Sequence, residues 1–259
     1  MKRFAIIVLF VSALFSASQV LGQNDGNLFD QFRKCAIDQV DEIATPVVQA
    51  TGVGIGGGLY NTASTHGMLG FDIGIRTMMV FVPEGSGILD SADVKFFPVP
   101  VAQVSVGFPM NFEVMLRGFS ITYKDKTVSL FGGGVKKSFS EYIPIPTFPD
   151  LSAIIAYHTF KAGGILSSTT LSFDVIVSKK FLIISPYGGF GYDRTSMDFT
   201  YTFSPDTPLE YEVEHNIKAS TARLTLGLNI TPVPFVKIFA DYNLSKFSQV
   251  TAGLAFSFR

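Results

Sequence analysis

Phe71-Asp72-Ile73-Gly74-Ile75-Arg76-Thr77-Met78-Met79-Val80-Phe81 is the stretch on which the fold turns. Phe71, Ile73, Ile75, Thr77, Met79 and Phe81 occupy one face of an extended chain, and Asp72, Gly74, Arg76 and Met78 the other. A strand with one apolar and one charged face lies between two different media. Similar alternation recurs at Val101 to Phe108, Phe112 to Ile121, Thr127 to Phe139, Leu151 to Phe160, Ser168 to Ser178, Phe181 to Tyr192, Ser196 to Phe203, Ile217 to Ile230, Phe235 to Asn243 and Gln249 to Phe258. Val53 to Tyr60 is a candidate for a further strand, which would bring the expected total to about 12, an even number as bacterial barrels prefer.

The medium around these strands follows from composition. Only 16% of the residues are charged, 14% are aromatic, and Phe alone contributes 26 of the 259 residues, with no Trp. A soluble domain has about a quarter charged residues. The chain opens with Lys2 and Arg3, an apolar core from Phe4 to Phe15, and small residues up to Gly22, the layout of a cleaved secretory signal over residues 1–22. Its apolar core is shorter than the about 20 residues of a spanning helix, and no later run reaches that length. An exported, apolar chain without spanning helices has a closed sheet as its remaining way to cross a bilayer. The expected fold is all-β, a transmembrane antiparallel β-barrel carrying a short N-terminal amphipathic helix. A soluble sandwich or lipocalin-like barrel is the alternative, and would turn its apolar faces inward.

Removing the signal takes two of 20 basic residues and leaves the 21 acidic ones in slight excess, so nucleic acid is not an expected partner. Cys35 stands alone and reads as a small buried hydrophobe. His66, His158 and His215 are far apart and near no metal-binding pattern, so neither a metal nor a cofactor is expected. A hydrolase would need Ser, His and an orienting group together; without a GxSxG motif an enzyme is not expected.

Between Asn27 and Pro46 the apolar residues, Phe29, Phe32, Val40 and Ile43 among them, fall at helical spacing, and Pro46 is the expected helix end. Gly52, Gly54, Gly56, Gly57 and Gly58 then predict a flexible connection. Residues 23–60 are therefore expected to form a plug-like unit, with Phe29, Phe32, Val40 and Ile43 touching a lumen, ahead of a barrel over 61–259. If the apolar faces meet lipid, the opposite parity assigns Asp72, Arg76, Glu113, Arg117, Asp174, Arg223, Lys237 and Asp241 to the lumen. Four acids then meet four bases, which suits either a polar conduit or mutual ion pairing. Tyr123, Tyr142, Phe181, Tyr192, Tyr201, Phe235 and Tyr242 sit near strand ends as candidates for interfacial girdles. The connections 109–111, 124–126, 179–180 and 232–234 are short and 84–99 and 142–150 long, which predicts short turns on one rim and long loops on the other.

The ending Val250, Ala252, Leu254, Phe256, Phe258 looks like the terminal signal read by the barrel-assembly machinery, with Arg259 displacing the aromatic from last place. The layout as a whole resembles outer-membrane barrels distantly similar to fatty-acid transporters of the FadL type. The resemblance rests on the helix and Gly-rich stretch, Tyr60-Asn61-Thr62, Gly70-Phe71-Asp72, Gly107-Phe108-Pro109, Phe131-Gly132-Gly133-Gly134 and Pro186-Tyr187-Gly188-Gly189-Phe190. It implies a plugged barrel in outer-membrane lipid that passes hydrophobic or amphipathic small molecules. The competing expectation is a non-conducting barrel that serves as a structural or partner-binding element.

Overall fold

The computed structural model describes residues 37–86, 89, 94–123, 126–142, 145, 147–163, 166–203 and 211–258, with backbone alone for 37–43, 123, 126, 200–203 and 211–215. The expected signal peptide, Cys35, Phe29 and Phe32 lie outside these residues, as do the side chains of Val40, Ile43, Tyr123, Tyr201 and His215. Helix α1 (Ile37–Gly56) is followed by strands β1 (Phe71–Phe81), β2 (Phe96–Phe108), β3 (Phe112–Tyr123), β4 (Lys126–Ser138) and β5 (Asp150–Ala162). Then come β6 (Leu166–Ser178), β7 (Ile184–Phe203), β8 (Tyr211–Val233), β9 (Val236–Leu244) and β10 (Gln249–Phe258).

Each strand pairs antiparallel with its sequence neighbours, and β1 pairs with β10 from Phe71↔Phe258 to Val80↔Gln249, which closes the barrel. Closure leaves no free edge along the common height of the wall. No helix among the described residues is long and apolar enough to cross a membrane.

Among the described residues the barrel has ten strands rather than about 12. Asp193-Arg194-Thr195, read as a break, continues the alternation with Asp193 and Thr195 buried and Arg194 outside, so two expected strands are one β7. Val53 to Tyr60 is no strand; α1 runs through it to Gly56. β2 begins at Phe96, ahead of the expected Val101, and so includes Pro98 and Pro100. That part of β2 pairs with β1, whereas pairing with β3 begins only at Ala102↔Gly118. The two prolines are two residues apart, so their missing N–H groups fall on the side that has no ladder to join.

Pro46 does not end the helix. It forgoes one intrahelical bond. Burial of Ala44, Val47, Val48, Ala50 and Val53 against Val80, Met197, Phe199, Ile217 and Phe247 keeps the helix in place across it. The glycines that follow are sites of close approach, not flexible links. A Cβ on Gly56 would stand 2.1 Å from Asp193 Oδ1, and one on Gly57 2.0 Å from Gln249 Oε1. Gly58 has φ +61°, a left-handed residue just past the helix end.

The chain that fills the barrel continues beyond residue 60, and the wall begins at Phe71. One rim, where β1 starts and β10 ends, carries connections 109–111, 139–149, 179–183 and 234–235. The far rim carries 82–95, 124–125, 163–165, 204–210 and 245–248. Long and short connections therefore occur on both rims, contrary to the expected segregation. The asymmetry lies instead in β7 and β8, whose 20 and 23 residues rise past their neighbours at the far rim.

Replacing Gly56 with Val should force α1 away from Asp193 and destabilise the barrel by about 1–3 kcal/mol, the usual range for overpacking. Denaturant titration in detergent checks this, and an unchanged midpoint would remove the close-approach explanation.

Candidate functional site

Along the strands the outward residues are mostly apolar, and inside the barrel buried ionisable groups gather between apolar clusters such as Met78, Val99, Val101 and Leu130. All eight lumenal candidates, Asp72, Arg76, Glu113, Arg117, Asp174, Arg223, Lys237 and Asp241, are buried there. They do not simply pair acid with base. They divide into two groups with different tasks.

The first group holds main chain. Beyond α1 the chain descends the lumen as an irregular segment whose peptide groups have no strand beside them, so side chains must satisfy them. Arg117 donates to the carbonyls of Ile55 and Gly57, the latter at 3.0 Å. Arg76 donates to the carbonyl of Gly58 and lies over the Phe239 ring, 4.9 Å from its centroid. Two guanidinium groups thus meet carbonyls at and just past the C-terminus of α1, where the helix dipole favours positive charge. Further down, Gln103 donates to Leu59 O at 3.1 Å, Asn229 to Asn61 O at 3.3 Å and Lys136 to Ser64 O at 3.2 Å. The N–H of Ala63 donates to Ser178 Oγ at 2.9 Å, and that of His66 to Glu113 Oε2 at 3.1 Å.

At the rim of β1 and β10 this segment ends in a latch around His66. Its Nδ1 lies 2.8 Å from Glu113 Oε2, and its Nε2 lies 3.1 Å from Ser257 Oγ and 3.2 Å from Lys237 Nζ. A carboxylate only accepts and an ammonium only donates, so the ring carries its proton on Nδ1 and accepts at Nε2. Glu113 also pairs with Lys136 at 2.9 Å, and Lys237 with Asp72 at 2.9 Å. Glu113, His66 and Ser257 are placed like an acyl-transfer triad, but Lys237 shares the histidine nitrogen that would take the serine proton. Glu113 binds the main chain of the same histidine. Both features suit a tether for residue 66.

The second group is an ion cluster in the wall. Arg223 donates to Asp174 at 2.7 Å and to Asp193 at 2.8 Å, with all three side chains fully buried. Asp241 accepts from Tyr187 at 2.9 Å and from Asn243 at 2.8 Å. Tyr187 meets Tyr60 of the threaded segment edge to face, 5.9 Å between centroids.

Sequence reading did not single out Lys136, Asp193, His66, Gln103, Ser178 or Asn229. Strand parity identifies the first two: Val135 and Lys137 face outward, so Lys136 faces in, and Asp193 follows once β7 is read as continuous. His66 gives no such signal, because its partners at 72, 113, 237 and 257 meet only when the barrel closes.

Of the girdle candidates with described side chains, Tyr142, Phe181, Tyr192, Phe235 and Tyr242 are all exposed. Phe235 stacks on Phe258, 5.8 Å between centroids, and Phe258 on Phe71 at 6.0 Å, forming an aromatic band outside the β1–β10 seam.

A family model described as "Family of unknown function (DUF6588)" matches residues 1–86 and 85–258. No curated protein sequence matches the chain. Among solved structures, the outer membrane protease OmpT from Escherichia coli is similar at 12% identity and a TM-score of 0.40, with 73% of this chain and 96% of that one covered. The translocator domain of the autotransporter NalP from Neisseria meningitidis is similar at 9% identity and a TM-score of 0.41, over 86% and 98%. The N-terminal β-barrel domain of Pseudomonas aeruginosa OprF is similar at 13% identity and a TM-score of 0.33, over 74% and 100%.

Arg223→Met leaves Asp174 and Asp193 buried without their cation and should cost about 3–5 kcal/mol of stability. Replacing the three together by Met, Asn and Asn should recover much of that loss. Denaturant titration of both variants in detergent checks the ion cluster, and equal instability of the two would count against it.

Proposed function

The chain belongs to the family of unknown function DUF6588, a membership that brings no activity with it, and we propose from its geometry that it is an outer-membrane β-barrel with a closed lumen. Two features support the membrane reading. The outward face is apolar around the wall: Ile73 and Ile75 on β1, Leu116 on β3, Phe131 on β4, Ile155 on β5, Val175 on β6, Phe190 on β7, Leu226 on β8, Ile238 on β9 and Phe256 on β10 are all exposed. The interior holds the buried charges, beside apolar clusters that pack against the helix and the threaded segment. A water-soluble barrel has the opposite arrangement, and an apolar surface of this extent in a soluble protein would be a liability.

The observation that carries the closed-lumen reading is the set of bonds from Ile55 to His66, in which side chains on β1, β2, β3, β4, β6 and β8 hold successive peptide groups of the threaded segment. Passive transport of hydrophobic molecules, as in barrels of the FadL type, needs an apolar route. Here the route would pass Arg76, Arg117, Arg223 and the latch at His66. The barrel is better suited to act as a sealed scaffold whose far-rim elements engage a partner, with lipid as its surroundings and the assembly machinery as its transient contact. Neither reading gives the lumen a reaction to catalyse.

Ile155, 55% exposed near the middle of β5, should tolerate Lys poorly in a bilayer, at a cost of about 2–4 kcal/mol in reversible folding into lipid vesicles. The same substitution in a soluble barrel would be close to neutral. In planar bilayers the mature protein should be silent and the Arg76→Ala, Arg117→Ala double variant should show openings. Steady conductance by the unaltered protein, or an apolar ligand that co-purifies reproducibly in mild detergent, would overturn the closed reading in favour of transport.

A further inference from the structure

The direction in which the chain threads the barrel is fixed by its contacts. His66 is held by Glu113 and Ser257, and through Lys237 by Asp72, and these three lie within two residues of a strand end on the rim where β1 starts and β10 ends. Ile55 lies higher, among Met78, Val99, Val101 and Leu130. Ala44, Val47 and Val48 lie higher still, among Val80, Phe199 and Ile217 at the far rim. From Ile55 back to Ile37 the helix rises about 27 Å at 1.5 Å per residue. From Met78 to the end of β1 the wall rises only about 10 Å. The first turns of α1 therefore stand clear of the β1 rim, beside the two strands that extend as far. There β8 pairs with β7 up to Phe203↔Tyr211, while its last pairing with β9 on that side is Leu224↔Leu244.

We infer that the barrel carries helix α1 across the membrane and presents its first turn, at Ile37, on the side opposite the end of the last strand, next to the raised ends of β7 and β8. This rests on the outer-membrane reading above, in which an even-stranded barrel keeps the start of β1 and the end of β10 on the periplasmic side; the presenting side is then the cell exterior. The polar lining gains a purpose from this. It is the channel wall of a permanent tether, and its backbone bonds hold one particular chain, this protein's own, in transit.

The test uses the full chain in cells, with Cys35→Ser as background and a membrane-impermeant maleimide as probe. One variant carries Gly-Ser-Cys-Gly-Ser inserted between Ala36 and Ile37. Lys246→Cys reports the far rim and Glu141→Cys the other, both at exposed positions. The inserted cysteine and Lys246→Cys should label on intact cells, and Glu141→Cys only after the outer membrane is permeabilised. Native Cys35, in the unaltered chain, gives a second readout on the same side. If the inserted cysteine labels only together with Glu141→Cys, or stays unlabelled in a folded, heat-modifiable protein, the inference is overturned while the sealed barrel stands. Absence of the protein from the outer-membrane fraction is a separate result, and overturns the membrane reading itself.

Discussion

A length of main chain drawn through the inside of a barrel has no neighbouring strand and little water, so the N–H and C=O groups it does not pair within itself must be met by side chains reaching in from the wall. The rest of this structure depends on that requirement. It explains why Arg76, Arg117, Gln103, Lys136, Ser178 and Asn229 point inward from six strands. It also explains why so many inward positions are donors: most of the peptide groups they meet are carbonyls. A barrel that only had to fill its own interior could use Leu and Val, as soluble barrels do.

Polar side chains committed to the inside leave the apolar residues for the outside, and the wall is accordingly inverted relative to a soluble barrel. The lumenal charge balance then has a different meaning from that of a conduit. Arg223 sits between two carboxylates, and the latch at His66 joins two carboxylates, two ammonium groups and an imidazole. In each, opposite charges lie within 3 Å of one another, which limits the penalty of burying them, although Asp174 Oδ2 and Arg223 Nη1 have no partner of their own among the described residues. A pore tuned for solutes would leave some of that charge facing its contents.

The period-2 pattern made the barrel, its inward parity and all eight lumenal charges legible in the sequence, because parity is a local property of a strand. The length of β7 was obscured by Asp193-Arg194, two adjacent charges that look like a turn but face opposite sides. The glycines of 52–58 were misread because one composition serves both flexible links and tight packing, and only Asp193, Thr195 and Gln249 pressing on them decide which. Pro46 misled for a related reason: the burial that carries α1 past it comes from β1, β7 and β8. The roles of Arg76 and Arg117 were hidden because a carbonyl acceptor leaves no trace in residue type, whereas a carboxylate does.

The same bonds bear on how the molecule is built. The threaded segment is anchored to β1 by only the few residues between His66 and Phe71, and its clamps are distributed over strands from both ends of the sequence. Asn229 on β8 and Ser257 on β10 reach a segment already held by Gln103 and Glu113 on β2 and β3. A preformed, closed barrel would have to admit a helix and a dozen unsatisfied peptide groups past a ring of charges that had paired with one another. A wall that closes around the segment avoids that, since the partners are spread over β1, β2, β3, β4, β6, β8, β9 and β10. The seam pairs Arg76, which holds Gly58, with Gly253, whose lack of a side chain leaves room for Phe239 beneath the guanidinium. The residue that closes the wall and the residue that holds the chain inside it are thus the same one, Arg76, so the plug and the seam share a single point of attachment.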